Sequence, residues 1–160
     1  MKPATPMLVL SILLLAACRG KPPEHPELDS VQWRSYANEA IGFRMTIPDC
    51  YSVQEDTGAP DVIFRSDGYP VMMVTLLGKD RADRRGLWAD HEPVATEMLD
   101  GRPANRYEYD HHDGPFIMHT LSWVMPWRGQ FLELALRTEA SVPDALQQRM
   151  LDSFELHGLN

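Results

Sequence analysis

Hydrophobic and polar positions alternate most regularly between Gly101 and Arg137, which reads GRPANRYEYDHHDGPFIMHTLSWVMPWRGQFLELALR. A period of two marks a strand with one buried face. Two turn signals divide the stretch into three antiparallel strands. Asp113-Gly114 suits a two-residue hairpin loop, which needs positive φ, and Pro126 to Gly129 marks the second turn. With the first loop there, His119 falls opposite Glu108, Leu121 opposite Arg106 and Trp123 opposite Ala104. With Met125 opposite Gln130, Leu132 faces Trp123, Leu134 faces Leu121 and Leu136 faces His119. Ile117, Leu121, Trp123, Leu132, Leu134 and Leu136 then share one face, expected to be the main core. Tyr107, Tyr109, Phe116, Met118 and Phe131 share the other with Thr120, Ser122 and Glu133. That second face is expected to be half covered, which makes Tyr107, Tyr109 and Phe116 candidates for contact with a partner.

The same reading places shorter strands upstream. Val31 to Ala37 and Gly42 to Ile47 alternate, and Asn38 to Ile41 can close a hairpin between them. Tyr51 to Val53 is a short strand. Val62 to Arg65 and Val71 to Leu77 follow, with Asp67-Gly68 at their turn. Lys79 to His91 is charged and without clear period, a loop holding at most one helical turn. Pro93 to Met98 leads through Asp100-Gly101 into the long meander. Ser141 to Asp152 is the best helix. Ser141 is its expected cap, with Pro143 in the first turn and Asp144 at the box position. Val142, Ala145, Leu146 and Met150 form its apolar stripe, expected to pack on Leu132, Leu134 and Trp123, with Gln147 on the exposed side. Phe154 to Leu156 adds a final strand.

The first 17 residues break this pattern. Lys2 precedes an apolar run from Met7 to Ala17. The run is shorter than the roughly 20 residues a membrane span needs and has the form of a secretory signal. It ends in Leu15-Ala16-Ala17-Cys18, which resembles the lipobox of bacterial lipoproteins. The resemblance implies cleavage before Cys18, a lipid such as palmitate on that residue, and a membrane anchor. Arg19, where an Asp would direct retention at the inner membrane, implies the periplasmic face of the outer membrane. Removing the leader takes the formal charge from −8 to −9, because Lys2 is its only charged side chain. Pro22, Pro23 and Pro26 make Arg19 to Asp29 an extended tether, about 30 Å at full reach. Residues 30–160 remain as one domain, and the whole sequence has the 44% hydrophobic and 24% charged content of an ordinary globular chain. The acidic balance argues against a nucleic-acid surface.

Taken together, YANEAIGFRMTIP, then a sheet, GRPANRYEY, WRGQFLELAL, a C-terminal helix and SFEL resemble the PsbP-like fold. That group includes extrinsic subunits of photosystem II and small bacterial lipoproteins of unassigned role. The resemblance, from about Trp33 to Leu156, implies an α+β domain. Its antiparallel sheet has about six to eight strands, and the C-terminal helix packs on one face. The group shares no catalytic residues, so the resemblance implies none.

Candidate chemistry is sparse. His111 and His112 point to opposite faces of a strand, and His112 stands about 13 Å from His119 along the hairpin. Zinc ligands sit about 2 Å from the ion, so these histidines do not form one site. Glu108 and His119, directly opposed, supply two ligands without a third, and a polar cross-strand pair is the favoured reading. Cys50 reads as a small buried apolar residue. The methionines read as core filling rather than a copper(I) site. Trp127, at a turn tip, is the best candidate for an exposed binding aromatic. No GxSxG, P-loop or dinucleotide fingerprint occurs. The expectation is therefore a lipid-anchored, non-catalytic envelope domain without a cofactor, binding an unidentified protein partner or supporting an assembly. A periplasmic carrier of a small ligand or metal is the alternative, and a hydrolase stands behind both.

Overall fold

The computed structural model describes residues 28–56, 61–78, 91–113, 116–138 and 143–158. After a 3-10 turn at Leu28–Ser30, β1 (Trp33–Asn38) and β2 (Phe43–Pro48) form a hairpin. Its turn is tied by Ile41 N donating to Asn38 Oδ1 at 2.9 Å and Gly42 N to Asn38 O at 2.8 Å. Gly42 sits at φ 85, and a Cβ there would run into the Arg128 guanidinium and the His157 carbonyl, so the position requires glycine. Next come β3 (Ser52–Asp56), β4 (Asp61–Ser66), β5 (Tyr69–Leu77), β6 (Ala95–Leu99), β7 (Arg102–Asp113), β8 (Phe116–Trp127) and β9 (Gln130–Thr138). Helix α1 (Ala145–Asp152) and the two-residue β10 (Glu155–Leu156) end the chain.

The strands form two antiparallel sheets. One has seven strands in the order β3-β4-β5-β9-β8-β7-β6; the other has three, β1-β2-β10. The large sheet has the expected size, but the first two strands and the last stand apart from it as a second sheet. The two share one core: Phe43, Met45 and Ile47 of β2 are buried with Phe64, Val74, Leu121, Leu132, Leu134 and Leu136 of the large sheet. Met150 and Leu151 of α1, which lies against β2, complete it.

The two turns of the meander differ from the expected ones in different ways: the first loop lies one residue further along at the same length, and the second is two residues shorter. Asp113 pairs with Phe116 and Trp127 with Gln130, so every partner moves by two residues. Leu121 now faces Glu108 and Leu136, Trp123 faces Arg106 and Leu134, and His119 faces Asp110 and Thr138. A shift of two keeps each side chain on its face, whereas a shift of one would have inverted the sheet. The expected core face is therefore buried, except for Ile117 near the hairpin tip, which is exposed. Pro126 lies inside β8 rather than in a turn. β7 pairs with β8 only from Val124 onward, so its missing N–H interrupts no ladder.

The helix also differs from expectation. Ser141 and Val142 lie outside the described residues; the N-cap is Asp144, one box further along. Asp144 Oδ1 accepts from Gln147 N at 2.8 Å, and Gln147 Oε1 accepts from Asp144 N at 3.1 Å. Gln147, expected to be exposed, is 1% exposed, because its amide also donates to Arg137 O at 2.6 Å. Leu146, Met150 and Leu151 bury the apolar side. Cys50, expected to be buried, lies exposed in the turn after β2.

Candidate functional site

Strand β6 is the element the sequence reading missed. Asp100 (φ 48) and Gly101 (φ 68) form the two-residue loop that folds it onto β7. Such loops need positive φ at both central positions, which Asp-Gly tolerates. The strand forms one edge of the seven-stranded sheet. Leu99 turns into the core and Glu97 into a cleft, while Thr96 and Met98 take the opposite face. Val94 and Met98 are 53% and 66% exposed, two of the four large apolar side chains left in solvent among the described residues.

The cleft holds about 650 Å³. Glu97, Asp100, Arg106 and Trp123 form one wall; Leu151 and Asp152 of α1, with Phe154 and Glu155, form the other. Its floor is fixed by a relay across three strands. Trp123 Nε1 donates to Glu97 Oε2 at 2.9 Å, and Arg106 Nη1 donates to Glu97 Oε1 at 2.9 Å. The same guanidinium donates from Nη2 to Glu108 Oε1 at 2.5 Å, and its Nε is buried with no partner among the described residues. At the rim, Asp100 Oδ2 accepts from Leu156 N at 2.9 Å, and Glu155 pairs with Arg44. The lining thus holds four carboxylates, Glu97, Asp100, Asp152 and Glu155, against the Arg106 guanidinium, and even with Arg44 on Glu155 the cleft carries excess negative charge.

The candidates from the sequence lie elsewhere. Glu108 and His119 are not opposed: Glu108 is taken by Arg106, and His119 Nδ1 lies 2.6 Å from Asp110 Oδ1. That removes the two-ligand pair, since the register is shifted by two. No group of three or more His, Cys, Asp or Glu side chains suited to a metal occurs among the described residues. Trp127 is 2% exposed, contrary to expectation. Its Nε1 donates to Ile41 O at 2.7 Å, while the Arg102 and Arg128 guanidinium groups lie 5.2 and 5.6 Å from its ring. The tight Arg128-Gly129 turn folds this tryptophan under the β1–β2 hairpin instead of presenting it.

Tyr107 and Tyr109 do share the second face, in a small cluster with Val124 and Phe131. Both are buried, and the His91 ring stacks on Tyr109 with centroids 5.3 Å apart. Beside them Glu133 is 6% exposed and accepts from Ser122 Oγ at 2.6 Å. Burial, reinforced by the Glu133 charge, pushes the Tyr109 hydroxyl well above its ordinary range. Phe116 joins β8 through its backbone; its side chain, like Cys18 and Lys79 to Asp90, lies outside the described residues. Nothing in the sequence pattern singled out the Glu97–Arg106–Trp123 relay. With the first loop one residue further along, Arg106 and Trp123 fall opposite each other. The Asp100-Gly101 signal then brings Glu97 onto the same face.

No family model matches the chain, and no curated protein matches it. The solved structures that resemble it include two of low identity. One is a Bacteroides thetaiotaomicron protein: TM-score 0.54, 10% identity, covering 78% of this chain and 48% of that one. This chain therefore spans about half of that protein's length. The other is the solution structure of cyanobacterial PsbP (CyanoP) from Synechocystis: TM-score 0.52, 15% identity, covering 86% of this chain and 100% of that one. At these identities the likeness speaks for the fold alone, and the chain has a PsbP-like fold.

Proposed function

We propose that this is a non-catalytic binding domain, held at the cell envelope by a lipid on Cys18, that engages a protein partner. The lipobox-like Leu15 to Cys18 supports the anchor, and the absence of Asp after Cys18 supports the periplasmic face of the outer membrane. The observation that carries partner binding is the cleft of about 650 Å³ opening beside the edge strand β6, with Val94 and Met98 exposed along that edge. Pockets for small ligands are mostly apolar. This one is lined more by polar than by apolar groups, with carboxylates on both walls, which suits a polypeptide better. The C-terminal helix supplies one wall, so its packing against the core shapes the site.

A carrier role for a small ligand is the second reading. One observation favours it: Thr75 Oγ1 and Asp61 Oδ1, cross-strand neighbours on the second sheet face, are buried without a partner among the described residues. The first reading is tested by affinity purification from crosslinked membranes of the host. It predicts one protein recovered repeatedly with the wild type and lost with Cys18→Ser. That variant should also take up no labelled palmitate and leave the membrane fraction. Label equal to wild type, or no partner recovered in repeated purifications, contradicts it.

A further inference from the structure

We propose that the edge of β6, which no other strand covers among the described residues, is a strand-addition site for an extended basic segment of a partner protein, whose inward side chains enter the acidic cleft. This deepens the binding role proposed above and rests on it.

The argument begins with backbone geometry. Leu99 and Arg102 flank a two-residue loop, so they form a hydrogen-bonded pair, and the pairing type alternates from there. Met98 and Thr96 fall at the alternate positions, so their N–H and C=O groups point away from β7, to the open edge. Unpaired groups of this kind are a template for another strand. Pro103, opposite Met98, is consistent with the alternation, since its missing N–H also points away from β6.

Side-chain chemistry then selects the occupant. An added strand would lay alternate residues over the cleft, about 6.7 Å apart. These would meet a lining that combines Trp123, Leu151 and Phe154 with the carboxylates Glu97, Asp100, Asp152 and Glu155. Apolar and Lys or Arg residues fit that lining, and an acidic strand is repelled. The residues between them would lie beside Thr96 and Met98 on the other face. A second copy of this chain is a poor occupant, because it would bring the same carboxylates and the same net negative charge.

The test is selection of a random twelve-residue peptide library on the full chain in mild detergent. The expected result is enrichment of sequences with Lys or Arg at alternate positions and apolar residues between. Their affinity should fall with added salt. Thr96→Pro removes an edge N–H without touching the β6–β7 ladder and should weaken binding tenfold or more, with an unchanged melting midpoint. Should Thr96→Pro disturb folding, Asp152→Lys on the exposed side of α1 gives the same readout through charge. Enrichment of acidic or uncharged sequences, no enrichment, or binding that survives both substitutions overturns the proposal. A partner recovered from crosslinked membranes alongside any of these outcomes would leave the binding role standing and remove only the strand-addition mode.

Discussion

The seven-stranded sheet ends in two edges that the sequence finishes in opposite ways. At one, β3 reads SVQED, with Gln54, Glu55 and Asp56 exposed. Glu55 is held by the Tyr36 hydroxyl of the small sheet at 2.6 Å. Charge and a cross-sheet tie discourage another strand from pairing there. At the other, β6 reads ATEML. Its one carboxylate, Glu97, turns inward and is occupied by Arg106 and Trp123, while Val94 and Met98 meet solvent. Two edges of equal length thus differ in where they put their charge. A binding domain needs one edge that refuses partners and one that accepts them.

Both edges depend on the shared core, so the largest effect comes from breaking it. Leu134, fully buried in β9 between Trp123 and Val74, should cost about 2–5 kcal/mol when cut to alanine. Urea denaturation followed by tryptophan fluorescence measures this. A cost below about 1 kcal/mol would mean the two sheets do not share that core. Gln147→Ala should cost about 1–3 kcal/mol, because it strands Arg137 O and the Asp144 N–H at the helix cap. A neutral result would mean that the cap carries no weight.

The edges themselves separate at the next level. Glu97→Ala leaves the Trp123 indole N–H and part of the Arg106 guanidinium without an acceptor and should cost about 1–3 kcal/mol. Glu55→Ala at the other edge should cost within about 0.5 kcal/mol, as exposed substitutions do. Equal costs would erase the distinction between an inward, structural carboxylate and an outward, repelling one.

The smallest effect is a pH dependence on the closed side. Burial first, and then the bond to Glu55, push the Tyr36 hydroxyl up to about 12 in the folded chain; in the unfolded chain it titrates near 10. A raised pKa means the neutral form is favoured on folding. Its contribution is therefore full below about pH 10 and is lost as pH rises toward 12. Tyr36→Phe should flatten that part of the stability profile without changing it below pH 9. An unchanged slope would show that the tie does not favour the neutral hydroxyl.

Much of the fold was legible because alternation survives an even error. The first meander loop lies one residue further along than expected and the second is two residues shorter, so each register moves by two, yet Leu121, Trp123, Leu132, Leu134 and Leu136 keep their face. The site was less legible because pairs across strands do not survive such an error. Glu108 with His119 became Glu108 with Arg106 and His119 with Asp110. Trp127 was misread for a related reason: a four-residue turn would have exposed it, and a two-residue turn places it in the strand. β6 went unseen because Ala-Thr-Glu-Met-Leu has weak strand character. Its hairpin loop, Asp100-Gly101, gave the same signal as Asp67-Gly68. Gln147 was read as a surface residue because periodicity carries no information about a side chain spent on capping.

The central claim is that the β6 side, and not the β3 side, meets the partner. A photo-crosslinking amino acid placed at Met98 in one variant and at Gln54 in another, each expressed in the native host and illuminated in intact cells, tests it directly. Both positions are exposed on edge strands of the same sheet, so background collisions should be alike. The account predicts one discrete high-mass adduct from position 98 and none from position 54. Adducts from position 54 alone, or equal adducts from both, would contradict it.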